Sequence, residues 1–420
     1  MLRRVCTRWQ TMADETREMW RTLDIDCSRA ERIGDSERER IERGQGWIGK
    51  WLELGGADLQ TGSNARGPGL TVIFRVNLQG STTSFERDMF RTLCASSPYW
   101  TSFTLCGNVD RLERLYEIPK GQVQRLECLR IIISVPHNRP CIPLPEFEDA
   151  PSLRQVDFRG FMDINISLPW SQLTECNLDL RNATAALFVV AAATSIQHLR
   201  IGRLSPPDDH EVLTVGNLGV TTNTSAEYLQ YENRVLRPQP VSQISNDYHL
   251  LRFLRLPNLR ELVLSGFGDR PYGPAAFMIR ESGAQLISLV LRRCRIATDP
   301  ASRTDVEDLL GATSKSLETL TIDIPLDNHT DLAQASNAIR LLTKLVSDPD
   351  EQRGLVELKR LVLYVSGSME NFQEPLNAMI VEELVAAVRC RQMVYGLPDI
   401  KLDCDLGVDS LERLVSQIRL

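Results

Sequence analysis

The chain has 420 residues, 42% hydrophobic and 25% charged, with 48 Lys and Arg against 55 Asp and Glu for a formal net charge of -7. That composition supplies a sizeable core and suits a soluble globular protein of two or three domains, or one elongated array. The acidic balance, with the first arginines interleaved among Asp and Glu, excludes the dense basic patch by which proteins hold a phosphate backbone, so no nucleic-acid partner is expected.

The opening stretch, "VCTRWQTMADETREMWRTLDI" at 5–25, reads as helix then strand. Val5, Trp9 and Ala13 are spaced four apart on one helical face. After a polar break at 14–16, Met19 and Trp20 begin a second apolar contact, and Leu23 and Ile25 alternate as in a short strand. The spacing predicts a linker helix over 36–54, with Ser36 and Glu39 as a capping box, an apolar stripe of Ile48, Trp51 and Leu52, and Trp47 at its flank. Its polar face lacks the Lys and Arg of a membrane-surface helix, so docking against the first repeat is expected. The glycine-rich run "GGADLQTGSNARGPG" at 55–69 has no phosphate-binding Lys followed by Ser or Thr and reads as a connector.

From residue 100 a phrase recurs, apolar-x-x-apolar-x-apolar. It stands as "LECLRI" from Leu126, "LRQVDF" from Leu153, "LTECNL" from Leu173 and "IQHLRI" from Ile196. It returns as "LRELVL" from Leu259, "LISLVL" from Leu286, "LETLTI" from Leu317 and "LKRLVL" from Leu358. Weaker versions are "WTSFTL" from Trp100 and "VGNLGV" from Val215. One such match means nothing at 42% apolar residues; the spacing carries the signal. The middle apolar residue falls at 103, 129, 156, 176, 199, 218, 262, 289, 320 and 361, in steps that mostly sit near the 20–29 residues of a repeat array. Each strand would bury three side chains worth about 1.5–3 kcal/mol apiece. Ordering about 25 residues costs about 1–2 kcal/mol each, so one unit cannot fold alone.

Helix-like stretches lie between strands at "ATAALFVVAAAT", "DLAQASNAIRLLTKLVSD" and "IVEELVAAVRC", the second with Ile339, Leu342 and Leu345 on one face. The stretch 221–246 fits no repeat and reads as an insertion. At the end, "DSLERLVSQIRL" predicts a capping helix over 406–420, with Asp409 as N-cap and Glu412 at the reciprocal position.

These phrases resemble the leucine-rich repeat family over about residues 70–405, with Cys294 in "LISLVLRRC" and Asn108 in "WTSFTLCGN" at the family's ninth position. The resemblance implies an α/β solenoid with parallel strands on a concave face and helices on the convex face. Ahead of it, the order Val5, Cys6, Trp9, Ala13, then Trp20, Leu23 and Ile25, looks like the second half of an F-box as found in fungal F-box proteins with leucine-rich repeats. "WIGKWLELGGADLQ" with "GLTVIFRV" resembles that group's linker helix and first strand. The implied organisation is a small all-α F-box remnant at 1–27, linker helix and loop at 28–69, array at 70–405 and cap at 406–420. The family's F-box opens with a Leu-Pro and a short acidic-apolar helix, absent from this sequence. That leaves two readings open: an upstream segment, or a degenerate box.

The resemblance implies a substrate-recognition subunit of a cullin–RING ubiquitin ligase, with Val5, Cys6, Trp9, Ala13, Trp20 and Leu23 in the module that meets a Skp-type adaptor. The alternative is a repeat scaffold without a role in ubiquitin transfer. Outward strand positions are the candidate target contacts: Arg130, Asp157, Arg159, Asn177, Asp179, Arg200, Arg292, Asp323 and Tyr364. Their mixed charges suit a polar, electrostatically selective partner protein.

Catalytic signatures are not found: no G-x-x-x-x-G-K-[ST], G-x-G-x-x-G, G-x-S-x-G or H-E-x-x-H occurs, and no cofactor, metal or enzymatic activity is expected. His210 beside Asp208, Asp209 and Glu211 reads as solvated loop charge. The ten cysteines have no CxxC pairing, which suits free thiols in a reducing compartment. Met1–Arg4 lacks a following apolar run, and the longest apolar stretch, 183–193, falls short of the roughly 20 residues of a membrane span. The expected setting is intracellular, cytoplasmic or nuclear, with no membrane partner.

Overall fold

The structure, a computed structural model, describes residues 16, 20–27, 44–51, 69–76, 84–133, 145–162, 167–180, 183–202, 219–234, 249–267, 271–292, 300–325, 339–344, 355, 357–366, 386, 389 and 401–405. They fall into two compact units, Met1–Arg181 and Asn182–Leu420.

The first unit is a parallel sheet whose strands follow the chain in order. They are β1 (Thr22–Asp26), β2 (Leu70–Arg75), β3 (Trp100–Gly107), β4 (Cys128–Ile133), β5 (Gln155–Met162) and β6 (Glu175–Leu180). The register aligns Leu23, Val72, Phe103, Leu129, Val156 and Cys176 side by side. A second row holds Ile25, Phe74, Leu105, Ile131, Phe158 and Leu178. All twelve are buried, as the two-residue alternation of a strand requires. Helix α1 (Ser84–Cys94) covers this face and sets Phe90 against Phe74 and Phe103, with ring centroids 5.4 and 6.3 Å away. Trp100 stacks on Phe103 at 4.5 Å and donates its indole N–H to Ser96 Oγ at 2.9 Å.

Two expectations change here. Residues 22–26, grouped by resemblance with a helical F-box module, form a strand of the sheet, so the ladder begins before the linker rather than at residue 70. Among the described residues, helices are also fewer than expected. Between β5 and β6 the described part of the connection is a single 3-10 turn at Trp170–Gln172.

Residues 44–51 of the predicted linker helix are helical, with Ile48 fully buried. Trp51 meets Trp20 edge-on at 4.7 Å and donates its indole N–H to the Trp20 carbonyl at 2.7 Å, while Trp47 packs on Trp51 at 5.1 Å. That contact ties the helix to the residue that leads into β1. Ser36 and Glu39 lie outside the described residues, as do 55–68 and the predicted cap at 406–420.

The second unit holds β7 (His198–Gly202), β9 (Tyr228–Arg234), β11 (Glu261–Phe267), β12 (Ser288–Arg292), β13 (Thr319–Pro325), β14 (Arg360–Ser366) and β15 (Lys401–Asp405), again parallel. Leu199, Leu229, Leu262, Leu289, Leu320 and Leu361 stand in register, each fully buried. β9 corrects the predicted insertion at 221–246. Residues 228–234 are a ladder strand whose "AEYLQY" places Ala226, Leu229 and Tyr231 at the three inward positions, with Ala and Tyr where the strong phrases hold Leu, Ile or Phe. The neighbour of β7 is therefore β9, not a strand centred on residue 218. The short β8 (Thr221–Thr222) pairs instead with β10 (Leu254–Arg255).

Helix α2 (Ala183–Ala192) forms where the apolar run predicts it, followed by α3 (Tyr272–Ser282) and α4 (Pro300–Thr313). The longer 27- and 31-residue steps of this unit accommodate α3 and α4. Residues 339–344 are helical with Ile339 and Leu342 buried, and of 380–390 only Ala386 and Arg389 are described, both helical.

One backbone device repeats at the head of the strands. The Glu127 carbonyl accepts from both Arg154 N and Gln155 N at 2.9 and 3.0 Å. The same doubled bond recurs at the carbonyls of Arg154, Gln197, Glu227, Arg260, Ile287 and Glu318. Asn223 pins the turn before β9. Its amide donates to Val190 O and Ala193 O at 3.0 and 2.9 Å, and its Oδ1 accepts from Ser225 N and Ala226 N. Asn108 in the first unit makes no such cap and has a buried Oδ1 with no hydrogen-bond partner among the described residues.

Leu289→Ala is expected to lower stability by about 2–5 kcal/mol, since a fully buried leucine in the middle of the row cannot be refilled by its neighbours, read as the shift in urea midpoint. His249 gives a second expectation. Burial, with the nearby Arg252 charge, pushes its pKa down to about 4, and its Nδ1 accepts from Leu251 N at 3.3 Å. The unfolded imidazole binds its proton near 6.5 and the folded one does not. Stability from this group is therefore complete above about pH 6.5 and is lost as pH falls towards 4, by about 3 kcal/mol. His249→Asn, which keeps an acceptor for the turn, is expected to flatten that loss in denaturation curves at pH 7 and pH 4.5.

Candidate functional site

The leucine rows turn every alternate side chain to the opposite face of its sheet. In the first unit one outward row reads Asp24, Ile73, Thr104, Arg130, Asp157, Asn177, and the next Asp26, Arg75, Cys106, Ile132, Arg159. Five candidates chosen from sequence meet here. Asp157, 9% exposed, accepts from Arg159 Nε and Nη2 at 3.0 Å each and from Asn177 Nδ2 at 2.7 Å. Arg130 approaches from the next strand, its Nε 3.9 Å from Asp157 Oδ2. Asp179 accepts from the backbone N–H of Gly160 at 3.1 Å.

Gly160 has a local cause. Its φ is +99°, and a Cβ there would sit 2.5 Å from the Ile133 carbonyl oxygen. The β5–β6 pairing slips between Phe158 and Met162, so regular pairing with β6 stops at Phe158, just before Arg159. The bidentate bond to Asp157 raises the Arg159 pKa, keeping the guanidinium protonated against partial burial.

Sequence reasoning missed a matching pair. Arg75 Nε and Nη2 each donate to Asp24 at 3.1 Å, joining β2 to β1. The two residues are 51 apart, and Asp24 stood in a stretch assigned to another module. The pattern of an Asp directly after the Leu23 position, as at Asp157 after Val156, is the signal that was available.

In the second unit the outward face carries Arg200, whose Nη2 donates to Glu232 at 3.0 Å. Tyr228 stacks on His198 at 5.6 Å and donates its hydroxyl to Gln230 Oε1 at 3.0 Å. Burial, reinforced by Glu261 and opposed by Arg292 and Arg200, raises the Tyr228 pKa. Glu232, Gln230 and Tyr228 were unread because β9 was taken for insertion. Arg292, Asp323 and Tyr364 occupy one outward row as direct register neighbours, with Tyr364 42% exposed.

Of the adaptor-facing candidates, Val5, Cys6, Trp9 and Ala13 lie outside the described residues. Trp20 packs on Trp51, and Leu23 is fully buried between the sheet and its cover.

The charged outward groups around Asp157, Asp24 and Arg200 are held in hydrogen-bonded ion pairs and an amide contact. Burial raises the described thiols, Cys27 and Cys94 to about 12, with Cys106, Cys128 and Cys176 also pushed up, so their nucleophilic thiolate forms are suppressed. Among the described residues no three His, Cys, Asp or Glu side chains gather as a metal site, and no helix is long and apolar enough to cross a membrane.

Asp157→Ala is expected to cost about 1–3 kcal/mol, because Asn177 and two arginines lose their common acceptor while the half-exposed guanidiniums recover water. The urea midpoint of the variant measures it, and Arg130→Ala, at a 3.9 Å pair, is expected to cost less than about 1 kcal/mol. No protein-family model matches the chain, and no curated protein matches it in sequence.

Proposed function

We propose that this chain is a non-catalytic, intracellular protein-binding array that serves as the substrate-recognition subunit of a cullin–RING ubiquitin ligase. The observation that carries the binding half is the Asp157 cluster on the outward face of a parallel sheet: Asp157, Arg159, Asn177 and Asp179 held by bonds of 2.7–3.1 Å, with Arg130 3.9 Å away on the neighbouring strand. Residues held in this way present a preorganised polar surface, which lowers the entropy lost on docking a partner. The finer reading of the fold, a leucine-rich-repeat solenoid, is supported by the in-register rows and the doubled carbonyl bonds. The ligase half rests on the resemblance of 5–25 to the second half of an F-box. In that reading, the adaptor-facing segment runs directly into β1 and is anchored there by Trp20 and Trp51. Ubiquitin transfer would belong to other subunits.

A repeat scaffold outside ubiquitin transfer is the second reading. It is favoured by the inward use of Trp20 and Leu23, which spend their apolar surface within the first unit. A pull-down of the purified chain with a Skp-type adaptor separates the two. Stoichiometric capture, lost in Trp9→Ala, supports the ligase reading. No capture, with the chain folded by circular dichroism, supports the scaffold.

A further inference from the structure

β1 is the terminal strand of the first unit and, among the described residues, pairs with β2 alone. The Arg21 carbonyl accepts from Thr71 N at 2.7 Å. Backbone groups alternate sides along a strand, so those of Leu23 and Ile25 also turn towards β2. The N–H and C=O of Thr22 and Asp24 point the other way, along an open border. Over Thr22–Asp26 that border is about 16 Å long, room for about five residues of a further strand.

The side chains along the border alternate as well. Leu23 and Ile25 turn into the core, while Thr22, Asp24 and Asp26 are exposed. The three strands nearest the border, β1 to β3, hold two carboxylates, Asp24 and Asp26, and one guanidinium, Arg75. The next outward cation, Arg130 on β4, stands two strands beyond Arg75. Arg75 fills two of the roughly four lone-pair sites of the Asp24 carboxylate, and the Asp24 side chain stays 46% exposed. At the head of β1 the chemistry changes. Trp47, packed on the Trp51 ring that meets Trp20, is 50% exposed, and Arg21 and Lys50 are exposed on the same two segments.

We infer that the open border of β1 takes up an extended segment of a partner protein as an added strand, with Lys or Arg beside Asp24 and Asp26 and apolar residues between. This goes beyond the reading above, since it needs neither the adaptor nor the Asp157 cluster. Main-chain bonds to Thr22 and Asp24 supply affinity whatever the sequence, and the two aspartates select the partner by the charge of every second residue. A cation level with Trp20 would lie near Arg21 and Lys50, which confines the basic positions to the Asp24–Asp26 end.

The test uses the purified full chain and short labelled peptides followed by fluorescence anisotropy. One peptide alternates Lys with Val, a second holds the same residues in two blocks, and a third alternates Glu with Val. Saturable binding of the first alone is expected, weakening as salt rises. Two further copies of it carry N-methyl groups, one on the Lys amides and one on the Val amides. An added strand bonds along one side, so one methylated copy is expected to lose binding and the other to keep it. Loss at the Lys amides marks an antiparallel strand, and loss at the Val amides a parallel one. Asp26→Lys is expected to weaken binding by at least about fivefold, while Glu357→Lys, the same charge change on an exposed residue of the second unit, leaves it intact. Equal binding of the block or Glu peptide, indifference to both methylations, an indifferent Asp26→Lys, or no binding each overturns the inference. So does a dimer of the free chain that the peptide dissociates, which gives the border to a second copy. Binding lost in Asp157→Ala but kept in Asp26→Lys moves the peptide to the Asp157 cluster, removing this inference and leaving the reading above in place.

Discussion

A single backbone carbonyl at the head of a strand, accepting two N–H groups from the next, is the constraint on which the rest depends. It recurs at seven positions from Glu127 to Glu318. Each instance fixes where the following strand begins, and a slip of one residue would turn its leucines outward. With the beginning fixed, Leu262, Leu289 and Leu320 must meet side by side, and the intervening residues must face away. The buried rows and the polar face are thus one decision made in the backbone.

The two units use that decision differently. In the first, outward positions carry charge and amide groups that bond across strands, as around Asp157. In the second, the corresponding row is Arg200, Gln230, Val263, Val290, Thr321, Val362, and Val263 and Val362 are 1% and 3% exposed. β-branched residues pack well against their neighbours across a pleated surface, so from Val263 to Val362 this row is stiffened by contact, while Arg200 at its start is held by a charge pair with Glu232.

Much of the ladder was legible because burial imposes the same chemistry at the same spacing in each strand. The eight strong phrases from Leu126 to Leu358 all mark strands, with the middle residues paired where the register needed them. β9 escaped because Ala226 and Tyr231 fill the inward positions with unequal volumes, and the polar "TTNTS" before it reads as loop. The structure reveals why those polar residues are there: Asn223 closes four backbone bonds inside the turn. β1 was legible as a short strand from the alternation of Leu23 and Ile25, but its place in the ladder was not. Its partner β2 lies beyond a linker, and nothing local to Thr22–Asp26 announces a neighbour so distant in sequence. The Asp157 cluster was readable because residues facing out from adjacent repeats occupy equivalent offsets from their leucines. The Arg75–Asp24 pair obeys the same rule, but only once β1 is known to pair with β2.

β1 also ends the ladder of the first unit, and strands so placed carry unpaired backbone groups that invite another chain. Its exposed residues include Asp24 and Asp26, alternating with buried Leu23 and Ile25. An antiparallel second copy adding edge to edge, centred on this strand, would set Asp24 against Asp24. Like charges placed directly opposite are unfavourable. The carboxylate that holds Arg75 therefore also guards this border against fibrous self-assembly, and neutralising it would make the border adhesive.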